Sequence, residues 1–223
     1  ERHEGMVLAV AFESLFKLVA FMALGIYVVW FLNDGLGDIF SRAEAIPKIS
    51  TLLQPDSINY SNWFSLTVLS GLAILMLPRQ FQIMVVENVD PNHMRRAVWL
   101  FPLYLLLINL LVMPIALAGM LHYQGQPFVA DALVLTLPLA QGNSAIALLA
   151  FLGGLSAATG MVIVETIALA TMVSNDLVVP FLLRRDSEFS RRKDVSGLIM
   201  LIRRLTIVFL LLLGYLYFRG AGE

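Results

Sequence analysis

Glu13, Lys17 and Glu165 are ionisable residues set inside stretches built otherwise from Leu, Val, Ile, Ala, Met and Phe. A charge at the centre of a helix in lipid costs roughly 2.5–3.5 kcal/mol on insertion scales. Each central Leu, Ile or Val returns only about 0.3–0.6 kcal/mol. Glu165, in the run Thr159-Gly160-Met161-Val162-Ile163-Val164-Glu165-Thr166, is therefore expected to face protein or a water-filled cavity. Two roles are open for it: a carboxylate on a coupling or substrate pathway, or one held for packing near the inner surface. Glu13 and Lys17 stand four apart, acid first, the order that favours an ion pair along one helix face. Gly153, Gly154, Ser156, Ala157, Ala158 and Gly160 form a run of small residues that lets helix backbones approach closely and exposes carbonyls. Ser156 and Thr159 within it are also hard oxygen donors suited to a small cation such as sodium.

Other chemistries have little support. The sequence has no cysteine, which excludes disulfides and thiolate metal sites. His3, His93 and His122 have no metal-ligand spacing with one another, and no Gly-rich nucleotide loop follows a strand. His3-Glu4 has the residue types of a kinase phosphoacceptor helix, but an unbroken apolar segment follows almost at once. No catalytic site is expected within these residues.

The elements that must position these groups follow from composition. Of 223 residues, 59% are hydrophobic and 14% charged, with a mean hydropathy of +0.81. Soluble domains are about 45–50% apolar and about 25% charged, so lipid must solvate most of these side chains. A membrane helix needs about 20 largely apolar residues. Five segments qualify or nearly so, at about residues 6–32, 62–78 (continuing toward 86), 97–121, 144–173 and 198–218. Period-two alternation is absent, which argues against a barrel. The fourth segment, at 30 residues and about 45 Å of helix, exceeds the hydrocarbon thickness of about 30 Å. It must tilt, bend near its glycines or protrude. Gly-interrupted apolar segments point to transporter sites. The chain opens on Glu1, with no Met and no leader, which predicts a piece of a longer polypeptide.

Two connections have character of their own. In residues 33–61, Ile39, Phe40, Ala43 and Ile46 share one face of a short amphipathic helix expected on the membrane surface. Residues 128–135 are apolar but too short to span, and predict an extramembrane or re-entrant helix. Orientation follows from Lys and Arg. Residues 79–96 hold Arg79, Arg95 and Arg96, and residues 183–204 hold Arg184, Arg185, Arg191, Arg192, Lys193, Arg203 and Arg204. Residues 122–143 hold none. The two basic stretches are predicted to be cytoplasmic, with the N-terminus inside and the C-terminus outside.

Several of these residues carry a resemblance. Glu4-Gly5 opening the first segment is similar to the Gln-Gly that starts core helix five of the sodium/solute symporter family. Met76-Leu77-Pro78-Arg79-Gln80-Phe81 falls where members carry Gly-Gln-Pro-His late in core helix six, and Arg95-Arg96 begins the following helix. Residues 170–177, Ala-Thr-Met-Val-Ser-Asn-Asp-Leu, resemble the Ser-Ser-x-x-Thr-x-Asp-Leu-Tyr end of core helix eight, with Val178 where the Tyr is expected. More narrowly, Leu77 to Phe81, Val85-Val86-Glu87-Asn88 and Arg96 to Pro102 resemble bacterial sensor histidine kinases whose membrane half is symporter-like.

The resemblance implies core helices five to nine of the LeuT-like inverted-repeat fold, in a bacterial inner membrane, with helices one to four and ten supplied elsewhere in the chain. It implies partners in the bilayer, a small polar solute such as an amino acid, and cytoplasmic kinase domains. A plain sodium- or proton-coupled secondary transporter is the alternative. The expected pathway residues are Ser156, Thr159, Glu165, Thr166, Arg79 and Gln80, with sodium at Ser156 and Thr159 if sodium binds at all. Counting back from Asp176 places the family's sodium-binding hydroxyl pair on Gly160 and Met161, which have no hydroxyl. Weak or absent sodium dependence is therefore expected, with a proton in its place.

Overall fold

The computed structural model describes residues 4–53, 59–88, 90–181 and 196–221, and all regular structure among them is helical. The basic cluster Arg184, Arg185, Arg191, Arg192 and Lys193 lies outside the described residues. Four helical stretches are long and apolar enough to cross a membrane: Gly5–Phe31, Pro91–His122, Ser144–Phe181 and Gly197–Ala221. The second expected segment is a broken pair, Tyr60–Met76 and Pro78–Val86, bent by 50°. Counted as one span, it makes the fifth. The protein is an all-α, multi-pass membrane protein.

The chain divides into two compact units, Glu1–Ala73 with Glu87–Gly160, and Ile74–Val86 with Met161–Glu223. In the first, α1 (Glu4–Ile26) has no proline and passes at its end into a π-helical turn, Tyr27–Phe31. A widened turn strands carbonyl groups. Here Leu32 N–H donates to Tyr27 O at 3.0 Å, the Asn33 amide donates to Val28 O at 2.8 Å, and Gly35 N–H donates to Val29 O at 2.9 Å. The chain reverses at Gly35, whose φ of 104° is a conformation that side chains resist.

The amphipathic helix forms as α2 (Leu36–Glu44), but its apolar face does not lie on the membrane. Ile39 and Ala43 are fully buried, packed on the long helix at Pro91–His122 and the end of α1, and Phe40 and Ile46 close around them. Amphipathicity specifies an apolar partner without saying whether it is lipid or protein. Here it is protein. Arg42 ties the polar face, reaching Asp38 Oδ2 at 3.2 Å and Asn33 Oδ1 at 3.1 Å. A short α3 (Pro47–Leu53) adds Ile49 to the same core.

α4 (Tyr60–Met76) buries no side chain. α5 (Pro78–Phe81) leads into a π turn, Gln82–Val86. α6 (Pro91–His122) starts on Asp90, whose side chain accepts from Asn92 N–H at 2.9 Å, with Pro91 in the first turn where no N–H is needed. Its far half, from Leu111 to Leu121, meets Leu24 of α1, Val28 and Val29 of the π turn that follows it, and Leu133 and Leu137 of α7 (Leu133–Ala140). The apolar run expected over 128–135 is thus helical from a 3₁₀ turn at Ala130–Ala132 through Ala140, too short to span. Gly119 on α6 permits this contact, since a Cβ there would stand 2.7 Å from both δ-methyl groups of Leu133.

α8 (Ser144–Met172) ends in a third π turn, Val173–Val178. In the second unit its buried residues are Val164 and Ala168 on one face and Ala170, with Ser174 of the π turn, on the other side. α9 (Ser196–Ala221) packs near that π turn and otherwise presents Leu, Val, Phe and Tyr side chains outward. Outward apolar faces on α4 and α9 are what a bilayer requires.

Candidate functional site

The ionisable residues of α1 lie where three helices of the first unit meet. α1 and α8 touch at two places seven residues apart on each. Gly153 faces Ala20, where an added Cβ would come within 2.6 Å of the alanine methyl. Gly160 faces Glu13, whose Oε2 occupies the space that a Cβ on residue 160 would need. Residue numbers rise along α1 as they fall along α8, so the two helices run antiparallel through this contact. Both glycines are buried. The small-residue run is therefore close packing at Gly153 and the seat of a carboxyl group at Gly160.

On the α6 side, the Tyr104 hydroxyl donates to Ser14 O at 3.2 Å, and the Lys17 ammonium sits over the Tyr104 ring, 5.8 Å from its centroid. An aromatic face attracts a cation, and more so out of water. Glu13, Ser14, Lys17 and Tyr104 are all half-buried. Counted from Gly5, Glu13 lies about 12 Å along a 27-residue span, inside a hydrocarbon layer of about 30 Å. An acid facing α8 and a base over a phenol of α6 thus lie one turn apart on α1 at membrane depth.

Of the expected pathway residues, Ser156 and Thr159 belong to this unit. Thr159 turns its hydroxyl onto its own helix, donating to Leu155 O and Ser156 O at 3.0 Å each. It is exposed, and Ser156 is half-buried. The Glu13 carboxyl is what lies beside the α8 backbone at Gly160, one turn on from Ser156.

Glu165, Thr166, Arg79 and Gln80 belong to the second unit and are half-buried. Thr166 also bonds its own helix, to Val162 O at 2.7 Å and Ile163 O at 3.1 Å. Arg79 and Gln80 follow the helix break. Leu77 is extended (φ −73°, ψ 127°), and Pro78, lacking an N–H, cannot continue the ladder of α4. Gln82, one turn into the next helix, is buried and engaged. Ser174 is fully buried, and its hydroxyl has no partner among the described residues. Neither Gln82 nor Ser174 stood out by type or spacing in sequence. Tyr104 was equally silent, one aromatic among the apolar residues of its helix. Among the described residues no three His, Asp or Glu side chains converge on a common point.

No known protein family, no curated protein and no solved structure matches the chain.

Proposed function

We propose that this chain is the membrane-embedded solute-handling domain of a bacterial two-component sensor histidine kinase, binding or moving a small polar solute such as an amino acid. The reading rests on the symporter-like motifs, and one structural observation supports it most directly: the span broken at Leu77-Pro78. Tyr60 and Trp63 are exposed aromatics of the kind that anchor a helix at the membrane interface. From Tyr60 the 17 residues of α4 rise about 25 Å, so the break comes before the far edge of a layer about 30 Å thick. Irregular backbone at that depth is tolerated only where protein buries it or water lines it. Broken helices with polar residues at the break are how secondary transporters build solute sites. Arg79 and Gln80 supply a cation and an amide for a solute carboxylate or amide.

The test is uptake of radiolabelled amino acids by proteoliposomes holding the full-length protein. A proton gradient is expected to drive accumulation and a sodium gradient to add little. Pro78→Ala, which restores the missing N–H, and Glu165→Gln should both lower uptake at unchanged protein content. Unaltered uptake in both variants refutes the assignment of these residues, and saturable sodium stimulation lost in Ser156→Ala or Thr159→Ala refutes the proton reading. A solute-dependent change in autophosphorylation of the intact protein distinguishes the kinase from a plain transporter.

A further inference from the structure

We propose that Arg95, Arg96 and Trp99, in the second and third turns of α6, form a seat for the headgroup of an anionic phospholipid. The inference is independent of solute handling, since it concerns an exposed face of α6 and not the break at Pro78. Trp99 follows Arg96 by three residues and Arg95 by four, so it lies one turn along the helix from both, on the face between them. All three side chains are exposed. Trp99, at 80%, is the most exposed large apolar side chain among the described residues. Neither arginine has an ion-pair or hydrogen-bond partner among those residues. The acids nearest in sequence are committed elsewhere, Asp90 to the Asn92 N–H and Glu87 to another contact. No Asp or Glu occurs from Pro91 to Ala130. Two cations thus flank an indole with no protein anion to meet them.

Depth selects the partner. Residues 97–121 contain no Asp, Glu, Lys, Arg or His, and as helix they extend about 37 Å, more than the hydrocarbon thickness of about 30 Å. The arginines therefore stand in the headgroup layer. Trp99, about 5 Å deeper, stands where headgroups meet acyl chains, a level that tryptophan favours. Side chains of a helix lean toward its N-terminus, here toward the headgroups. A guanidinium offers phosphate two parallel N–H donors, and the indole N–H is a further donor. Leu103 and Leu106 continue the Trp99 face toward the bilayer centre and are exposed, a track for an acyl chain. With two cations and no acid, the seat favours a lipid whose phosphate is not neutralised by an amine of its own. This end of α6 is also the one that the Lys and Arg pattern predicts to be cytoplasmic, the leaflet with a negative surface potential.

The test uses the full-length protein in phosphatidylcholine liposomes holding a small fraction of brominated lipid, either phosphatidylglycerol or phosphatidylcholine. Bromine on the acyl chain quenches a neighbouring tryptophan, and the emission lost in Trp99→Phe identifies the contribution of Trp99. That contribution should be quenched several-fold more by brominated phosphatidylglycerol than by brominated phosphatidylcholine. Arg95→Gln combined with Arg96→Gln should bring the two lipids to equality. Both side chains are exposed, so this variant should unfold at the same denaturant concentration as the wild type. Arg204→Gln, at an exposed position of α9, should leave the preference intact, as should inorganic phosphate in place of chloride at equal ionic strength. Equal quenching by both lipids, a preference that survives loss of both arginines, or one that falls as far in Arg204→Gln, overturns the proposal. So does loss of the preference in inorganic phosphate, which assigns the arginines to a soluble anion. Absence of quenching by either lipid overturns it as well, because protein then covers the patch. No readout involves a transported solute, so the outcome is separate from that of the uptake experiments.

Discussion

Replacement of Gly25 by alanine is the most stringent check on how α1 meets α6. An alanine Cβ at this position would stand 2.9 Å from Leu111 Cβ and Cγ and would overlap its Cδ1. Carbon atoms prefer about 3.5–4.0 Å. Leu111 is 3% exposed, and its Cβ is fixed to the α6 backbone, so a rotamer change cannot clear the space. Overpacking of this kind costs about 1–3 kcal/mol, and the gain in helix propensity from Gly to Ala returns up to about 1 kcal/mol. Leu111→Ala alone opens a cavity and costs about 2–5 kcal/mol. In the double variant the added methyl group enters space that the leucine has vacated. The pair should then be more stable than the sum of its parts by about 1–3 kcal/mol. Gly71→Ala, with nothing within 4 Å of the new Cβ, is the control and should be neutral or mildly stabilising. The assay is equilibrium unfolding in mixed micelles, followed by Trp fluorescence. Additivity of the two substitutions within about 0.5 kcal/mol, or equal effects of Gly25→Ala and Gly71→Ala, would refute the packing.

Single cysteines at His93 and Gln126, both exposed residues outside the apolar spans' cores, should label oppositely with an impermeant reagent on intact cells. Position 126 should react and position 93 should be protected, and the reverse would invert the topology. Asp90→Ala removes the side-chain cap of α6 and should cost about 1 kcal/mol in the same unfolding assay, with Asp90→Asn largely retaining the cap. Tyr104→Phe loses the hydrogen bond to Ser14 O and keeps the ring under Lys17. The loss should be about 0.6 kcal/mol, the average for such bonds between membrane helices, whereas Tyr104→Leu should lose more because the cation–π contact goes too.

What could be read in advance is uneven, and the pattern is physical. Glu13, Lys17 and Glu165 stand out because charge is rare and costly in apolar helices. The run of small residues identified α8 as a close-packing helix, but not which of its glycines mattered. Nothing local distinguishes Gly154, with no atom near its absent Cβ, from Gly153 and Gly160, which have neighbours that a Cβ would displace. Tyr104 and Ser14 are ninety residues apart, and a hydrogen bond of that range depends on how α1 and α6 lie together.

The amino-acid sequence by itself determined the lipid solvent, the number of apolar segments, the amphipathic character of α2 and the presence of costly charges at depth. These are properties of a residue and its near neighbours, and they act through transfer free energy and backbone hydrogen bonding. Only the tertiary structure decided that the apolar face of α2 meets α6 instead of lipid, and that Lys17 lies over Tyr104. It also placed Glu13 in the space left by Gly160. Each of those outcomes depends on which surface a distant segment brings into contact, and many surfaces satisfy the same hydrophobic pattern. Shape complementarity at a few ångströms selects among them, and periodicity does not encode it.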